Sequence, residues 1–240
     1  MEVARGRAGA SMTPAYSMSG TLNHPALGPV RYQLTEVSDD PDTQVEQTIA
    51  LMKQYALEDS QSPLLNMDVL TAKRGDPIDD TWAYLSRKEG IRSMHFVHDE
   101  DTGAPWADMG RWRPIVETLM RPCDQVVAPQ PQGDCDDFSM YGAAHLLARG
   151  VPCSFVTVAA DSSDPSIYSH VYLAAYPRSG KYAGRRVPLD LSHGGSAGWE
   201  TSNRYGKRRE WPVSDSIDPC SIILWAAGGF LFFKLCGGMN

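Results

Sequence analysis

The sequence predicts an α+β fold with a helical N-terminal half, then a buried helix and an antiparallel sheet. Three observations predict it. Three segments between residues 41 and 86 carry apolar residues at helical spacing, and a proline-free, Ala- and Leu-rich run over 138–149 is apolar on nearly every side. From residue 154 onward the period changes to two, with Val, Phe and Thr in short runs broken by Gly and Pro. Helices first and strands after is the order of an α+β domain.

Residues 1–28 are small and polar with Gly, Ser and Pro, so a flexible arm is expected before a domain over 29–215. A short strand is expected at 30–34. Asp40-Pro41 opens the first helix, with Asp40 as N-cap and Pro41 at the first helical position, and Ile49, Met52 and Ala56 carry it to about Leu57. Two further helices are expected at 67–74 and 79–86, separated by Gly75-Asp76-Pro77. His95 and His98 stand near acids in a loop, but without a third ligand at defined spacing they read as surface histidines, not a metal site. An amphipathic turn or two is expected over 113–120, then a Pro/Gln-rich loop from Cys123 to Gln132.

That loop delivers the chain to Gly133-Asp134-Cys135-Asp136-Asp137, at the start of the apolar helix. A helix N-terminus carries unpaired N–H groups and a partial positive charge, which favour thiolate over thiol, so Cys135 has a physical reason to be reactive. The neighbouring carboxylates oppose this, unless Asp134 caps the helix and Asp136 and Asp137 serve its first turn. A cysteine amid the acids suits a hard cation badly, and no metal or cofactor is expected. Gln125, Gln130 and Gln132 are near enough in sequence to donate an amide to an oxyanion, and the spacing does not choose among them.

After Gly150-Val151-Pro152 ends the helix, strands are expected at 154–160, 169–176 and 186–191. In the second, His170 shares a face with Tyr172, Ala174 and Tyr176. In the third, Asp190 stands on the face opposite Val187, Leu189 and Leu191. Antiparallel neighbours in the right register bring such side chains within hydrogen-bond reach. A thiol nucleophile needs a base, and the base a partner that fixes its tautomer, so Cys135, His170 and Asp190 are the candidate triad. His145 is too far along the helix to serve, about 15 Å of rise from Cys135. His193, in a Ser-His-Gly-Gly turn, reads as a loop residue, and Cys153 as a buried, inert thiol.

A net charge of −7 argues against a surface that tracks phosphates, so no nucleic-acid partner is expected, and Lys207-Arg208-Arg209 reads as a solvated loop. Five cysteines without paired spacing suggest neither disulfides nor zinc. Arg5 and Arg7 precede no apolar run, so a secretory signal is not expected and a cytoplasmic location is. The tail, 216–240, holds an almost wholly apolar stretch over 222–233, shorter than the roughly 20 residues a membrane span needs, so burial or an interface helix is expected over membrane contact. Trp199, Trp211 and Pro212 read as cover for a sheet edge.

Gly133-Asp134-Cys135-Asp136-Asp137, the run Leu146 to Cys153, Ser169-His170-Val171-Tyr172 and Leu189-Asp190 together resemble the transglutaminase-like superfamily of papain-type thiol folds. The Gly-Asp-Cys-Asp-Asp form is similar to versions in bacterial and phage-associated proteins, which implies a virion-associated protein as the alternative to a cytoplasmic one. The resemblance spans roughly residues 45 to 212. It implies that the nucleophile heads a buried helix packed on an antiparallel sheet, with a Cys135-His170-Asp190 triad acting on a protein or peptide substrate as peptidase or amide acyltransferase. The other expectation is a non-catalytic phage structural or assembly module that retains the fold.

Overall fold

The computed structural model describes residues 17–24, 28–36, 40–87, 92–98, 116–202 and 206–214. Helices and an antiparallel sheet are both present. The three expected helices are α1 (Pro41–Ser60), α2 (Pro63–Ala72) and α3 (Pro77–Leu85). Each opens the same way, with a capping side chain followed by proline: Asp40 accepts from the Thr43 N–H at 2.9 Å, Ser62 from Leu64 at 3.2 Å and Asp76 from Ile78 at 2.9 Å. The Ser62-Pro63 and Asp76-Pro77 pairs start α2 and α3 earlier than apolar spacing alone suggests. α1 outruns its expected end because Asp59 in its last turn is buried and receives the Arg121 guanidinium at 2.5 Å and the Cys123 N–H at 3.0 Å.

The N-terminal half is not all helix. Where an arm is expected, Ser17–His24 forms β1, paired antiparallel with β2 (Gly28–Glu36), which extends the expected short strand at both ends. The segment expected as amphipathic turns holds a strand, β4 (Val116–Leu119), which completes the sheet in the order β1-β2-β4. Its four residues are held by pairing with a strand some eighty positions away (Gln33 opposite Leu119), which local spacing does not reveal. β3 (His95–Phe96) lies parallel to β5 (Gln132–Gly133), and His95 and His98 are exposed. The Pro/Gln-rich stretch is not all loop, since α4 (Pro122–Val127) occupies part of it.

The centre of the molecule is α5 (Cys135–Ala148), buried along most of its length against a four-stranded antiparallel sheet. The sheet runs β8-β7-β6-β9: β8 (Val187–Leu189), β7 (His170–Ala175), β6 (Cys153–Val158) and β9 (Arg208–Pro212). Its two faces follow the period-two reading. Phe155, Val171, Leu173, Ala175, Val187 and Leu189 join the core around α5, while Val156, Val158, Tyr172 and Ala174 form a separate cluster. Gly142 lets the helix approach this sheet closely, because a Cβ there would overlap the Leu191 and Leu173 methyls. Lys207-Arg208-Arg209 is not a free loop but leads into the edge strand β9. The Arg209 guanidinium lies 3.5 Å from the Trp211 ring centroid and bonds Glu46 at 2.7 Å, and the Trp211 indole N–H donates to Thr157 Oγ1 at 2.9 Å. Trp211 thus belongs to the sheet itself, while Trp199 is exposed.

The C-terminal tail lies outside the described residues, as does its apolar stretch. Among the described residues no helix is long and apolar enough to cross a membrane.

A buried carboxylate ties the far end of α5 to the helical layer. Asp68 in α2 accepts from Tyr84 Oη at 2.7 Å, from Tyr141 Oη at 2.6 Å and from His145 Nε2 at 3.0 Å. Burial alone would raise the Asp68 carboxyl; hydrogen bonds from His145, Tyr141 and Tyr84 outweigh it and hold the pKa below the usual carboxylate value. Replacing Tyr141 by Phe keeps the ring but leaves this acceptor short of a donor. The expected loss is ~1–3 kcal/mol of unfolding free energy, checked by urea denaturation at neutral pH.

Candidate functional site

Every part of Gly133-Asp134-Cys135-Asp136-Asp137 has a structural reason. Cys135 is the first residue of α5, and Asp134 is its N-cap, accepting from the Asp136 N–H at 3.3 Å. Asp136 accepts from the Asp137 N–H at 2.6 Å. Asp137 is fully buried and accepts from the Met120 N–H at 2.7 Å, which anchors the helix start to the chain leaving β4. Gly133, with φ of 146°, is in backbone territory that favours glycine, and a side chain there would overlap the Asp137 carboxylate. The acids therefore build the helix start, where each accepts a backbone N–H.

The approach to Cys135 is clamped from the side. The Gln125 amide donates to the Gln132 carbonyl and its Oε1 accepts from the Gln132 N–H at 2.9 Å. β3 adds bonds from His95 N to Pro131 O at 2.8 Å and from Val97 N to Gly133 O at 3.0 Å. Gln125 is thus spent on the backbone, and Gln130 is exposed. Gln132 differs from both: it is fully buried, and among the described residues neither polar atom of its side-chain amide has a partner.

His170 and Asp190 are brought together as the strand register requires. Leu173 pairs with Leu189 across β7 and β8, so Asp190, just past β8, falls diagonal to His170. His170 Nε2 lies 2.8 Å from Asp190 Oδ2. Asp190 has no exposed surface and accepts three more bonds: from Thr201 Oγ1 at 2.5 Å, Ser192 Oγ at 3.0 Å and the His193 N–H at 2.9 Å. Burial would raise this carboxyl. The hydrogen bond and positive charge of His170, helped by Thr201 and the His193 N–H, hold it at about 2 instead. An ionised carboxylate only accepts, so the bonded Nε2 is a donor, and Nδ1 is the nitrogen through which the ring can exchange a proton.

One hydroxyl joins the two halves. Ser139, one turn into α5, donates to the Cys135 carbonyl at 2.7 Å and lies 3.3 Å from the carbonyl of Val171, the residue after His170. A run of rings encloses the same place: Phe138 to Phe96 at 6.2 Å, Phe96 to His193 at 5.2 Å, and His193 to His170 at 4.9 Å between centroids. The Cys135 turn and the His170–Asp190 pair thus sit at one end of the α5–β7 layer, with Cys135 half-buried and His193 exposed.

His145 lies at the other end of α5, fully buried on Asp68, and burial lowers its pKa. Burial pushes the Cys153 thiol up to about 12. Two groups of donors lie within 4.8 Å of one another, His170/Asp190/His193 and Asp134/Asp136/Asp137, and both are engaged in the protein's own hydrogen bonds described above. Sequence reasoning missed Ser192 and Thr201 as supports of Asp190. Ser192 had a signal, since a carboxylate bonding the hydroxyl two residues on and the N–H three residues on is a capping pattern. Thr201 had none, because a loop returns it from eleven positions away.

Comparisons with protein families, curated proteins and solved structures give no match to this chain. The geometry therefore carries the functional reading. Because the Asp190 carboxyl is held at about 2 against an ordinary value near 3.9, its ionisation stabilises the fold above about pH 4, and that contribution is lost as pH falls toward 2. Asp190→Asn should cost on the order of 2 kcal/mol at neutral pH, with the gap to wild type closing between about pH 4 and 2 in chemical denaturation.

Proposed function

We propose that the protein is a thiol-dependent amide hydrolase or acyltransferase of the transglutaminase-like, papain-type kind, acting on a protein or peptide through a Cys135 acyl-enzyme. The observation that carries this reading is the buried 2.8 Å bond from His170 Nε2 to the ionised Asp190, on a strand whose next residue, Val171, shares the Ser139 hydroxyl with the Cys135 carbonyl.

The steps follow from these positions. His170 Nδ1 takes the thiol proton, and Asp190 stabilises the imidazolium that results. Cys135 Sγ attacks the amide carbon, and the oxyanion develops at the positive end of the α5 dipole. His170 then returns its proton to the leaving amine as the C–N bond breaks, giving the thioester. A water or a second amine, deprotonated by His170, attacks the thioester and releases Cys135 as thiol. Of the three glutamines, Gln132 is our candidate for a second oxyanion donor, since its buried amide has unspent hydrogen-bonding capacity.

The test is the rate at which a thiol-directed acylating probe modifies Cys135 near neutral pH. Wild type should exceed His170→Ala by ~10²–10⁴-fold, with Cys135→Ser unlabelled at that position. Equal labelling of wild type and His170→Ala would refute an activated pair and favour the non-catalytic structural module. Gln132→Leu, which fills the same space without donors, should lower turnover by ~10²-fold while leaving the labelling rate of Cys135 by a small alkylating agent unchanged, since alkylation builds no oxyanion.

A further inference from the structure

His193 does more in this site than a loop residue. Its backbone N–H holds one oxygen of Asp190, its Nδ1 lies 2.9 Å from Ser192 Oγ, which itself donates to the same oxygen, and its ring meets His170 edge to face at 4.9 Å, with planes at 86°. On its other side the ring stands edge to face against Phe96, 5.2 Å away and at 77°. His193 is therefore held between the catalytic imidazole and β3, with its ring partly open to solvent.

We propose that His193 is a positioning residue whose neutral ring keeps His170 seated on Asp190 and whose protonation switches the Cys135–His170 pair off. The inference rests on the reading of Cys135 and His170 given above. The active form of such a pair places positive charge on His170, so a second positive charge in a ring packed against it works directly against the reactive ion pair. A neutral ring at the same place excludes water from one side of His170 and limits its rotation away from Asp190. The groups that face His193 have unequal effects: Asp190 favours its charged form, while His170 on β7, Arg87 after α3 and His98 after β3 oppose it. Burial, then the charge on His170, lowers the His193 pKa, so the ring is neutral when the pair is formed near neutral pH and becomes charged on acidification.

The test is the pH dependence of Cys135 alkylation by iodoacetamide, read on the Cys135 peptide by mass spectrometry so that the other thiols do not contribute. Wild type, His193→Phe and His193→Gln are compared, each with a His170→Ala partner. His193→Phe keeps a ring against His170 but cannot take a proton, so the acid limb of its profile should move about one pH unit lower than wild type. His193→Gln should move it similarly and also lower the plateau, because the packed ring is gone. An acid limb at the same pH in all three proteins, with labelling still dependent on His170, overturns this inference alone. Wild-type labelling that ignores His170 overturns the inference together with the proposed function.

Discussion

A carboxylate with no exposed surface must be given donors or be neutralised, and Asp190 is given four. Satisfying it fixes much of the surrounding geometry. The register of β7 on β8 must place His170 diagonally across from it, the turn after β8 must fold so that Ser192 and His193 point back, and the loop carrying Thr201 must close over it. The neighbouring Glu200 secures that loop by accepting from Tyr172 at 2.6 Å and pairing with Arg186 and Arg208 at 2.7 and 2.9 Å. These outer pairs are part-exposed and weak singly, but they hold Thr201 where its hydroxyl is needed.

The second constraint is at the other partner. Three carboxylates beside a cysteine oppose a thiolate, and in this fold each also accepts a backbone N–H. Asp134 and Asp136 accept N–H groups of the first helical turn, and Asp137 points back to Met120 under Gly133. Their hydrogen bonds fix the direction of α5 where Cys135 leaves the clamped strand. The Ser139 hydroxyl then sets the depth of that helix start against β7. Precision at Cys135 thus comes from residues that make no chemical step of their own.

Legibility in the sequence tracks the range of the interaction. α5, β6, β7 and β8, with His170 and Asp190 sharing a side of the sheet, could be read because period two, a proline-free apolar run and Gly-Val-Pro are local signals. The starts of α2 and α3 were equally local, in Ser62-Pro63 and Asp76-Pro77, but apolar spacing hid them. β1 and β4 could not be read: one lies in polar, Gly-containing chain, and the other has four residues stabilised by a distant partner. α4 was hidden because it has only six residues and its N-cap, Arg121, makes no side-chain cap. Among the three glutamines, sequence position had no means of distinguishing Gln125, spent on the backbone of residue 132, from Gln132 itself.

Among the described residues there are two buried histidine–aspartate pairs, one at each end of α5, and their difference shows what makes such a pair a catalytic candidate. Both put Nε2 on a buried carboxylate, at 3.0 Å for His145 on Asp68 and 2.8 Å for His170 on Asp190. His145, however, is ringed by Tyr84 and Tyr141, whose hydroxyls take up the same carboxylate, and burial works against its charged form. A proton taken up there has no route onward, and the pair serves as a polar joint between α2, α3 and α5. His170 has the same partner chemistry at the start of the helix, where the Ser139 hydroxyl lies near the carbonyls of both Cys135 and Val171, and its ring packs against that of the exposed His193. Chemistry needs a carboxylate dry enough to hold one tautomer and an imidazole that a proton and a substrate can reach. Of the two pairs, the one at the start of α5 combines them.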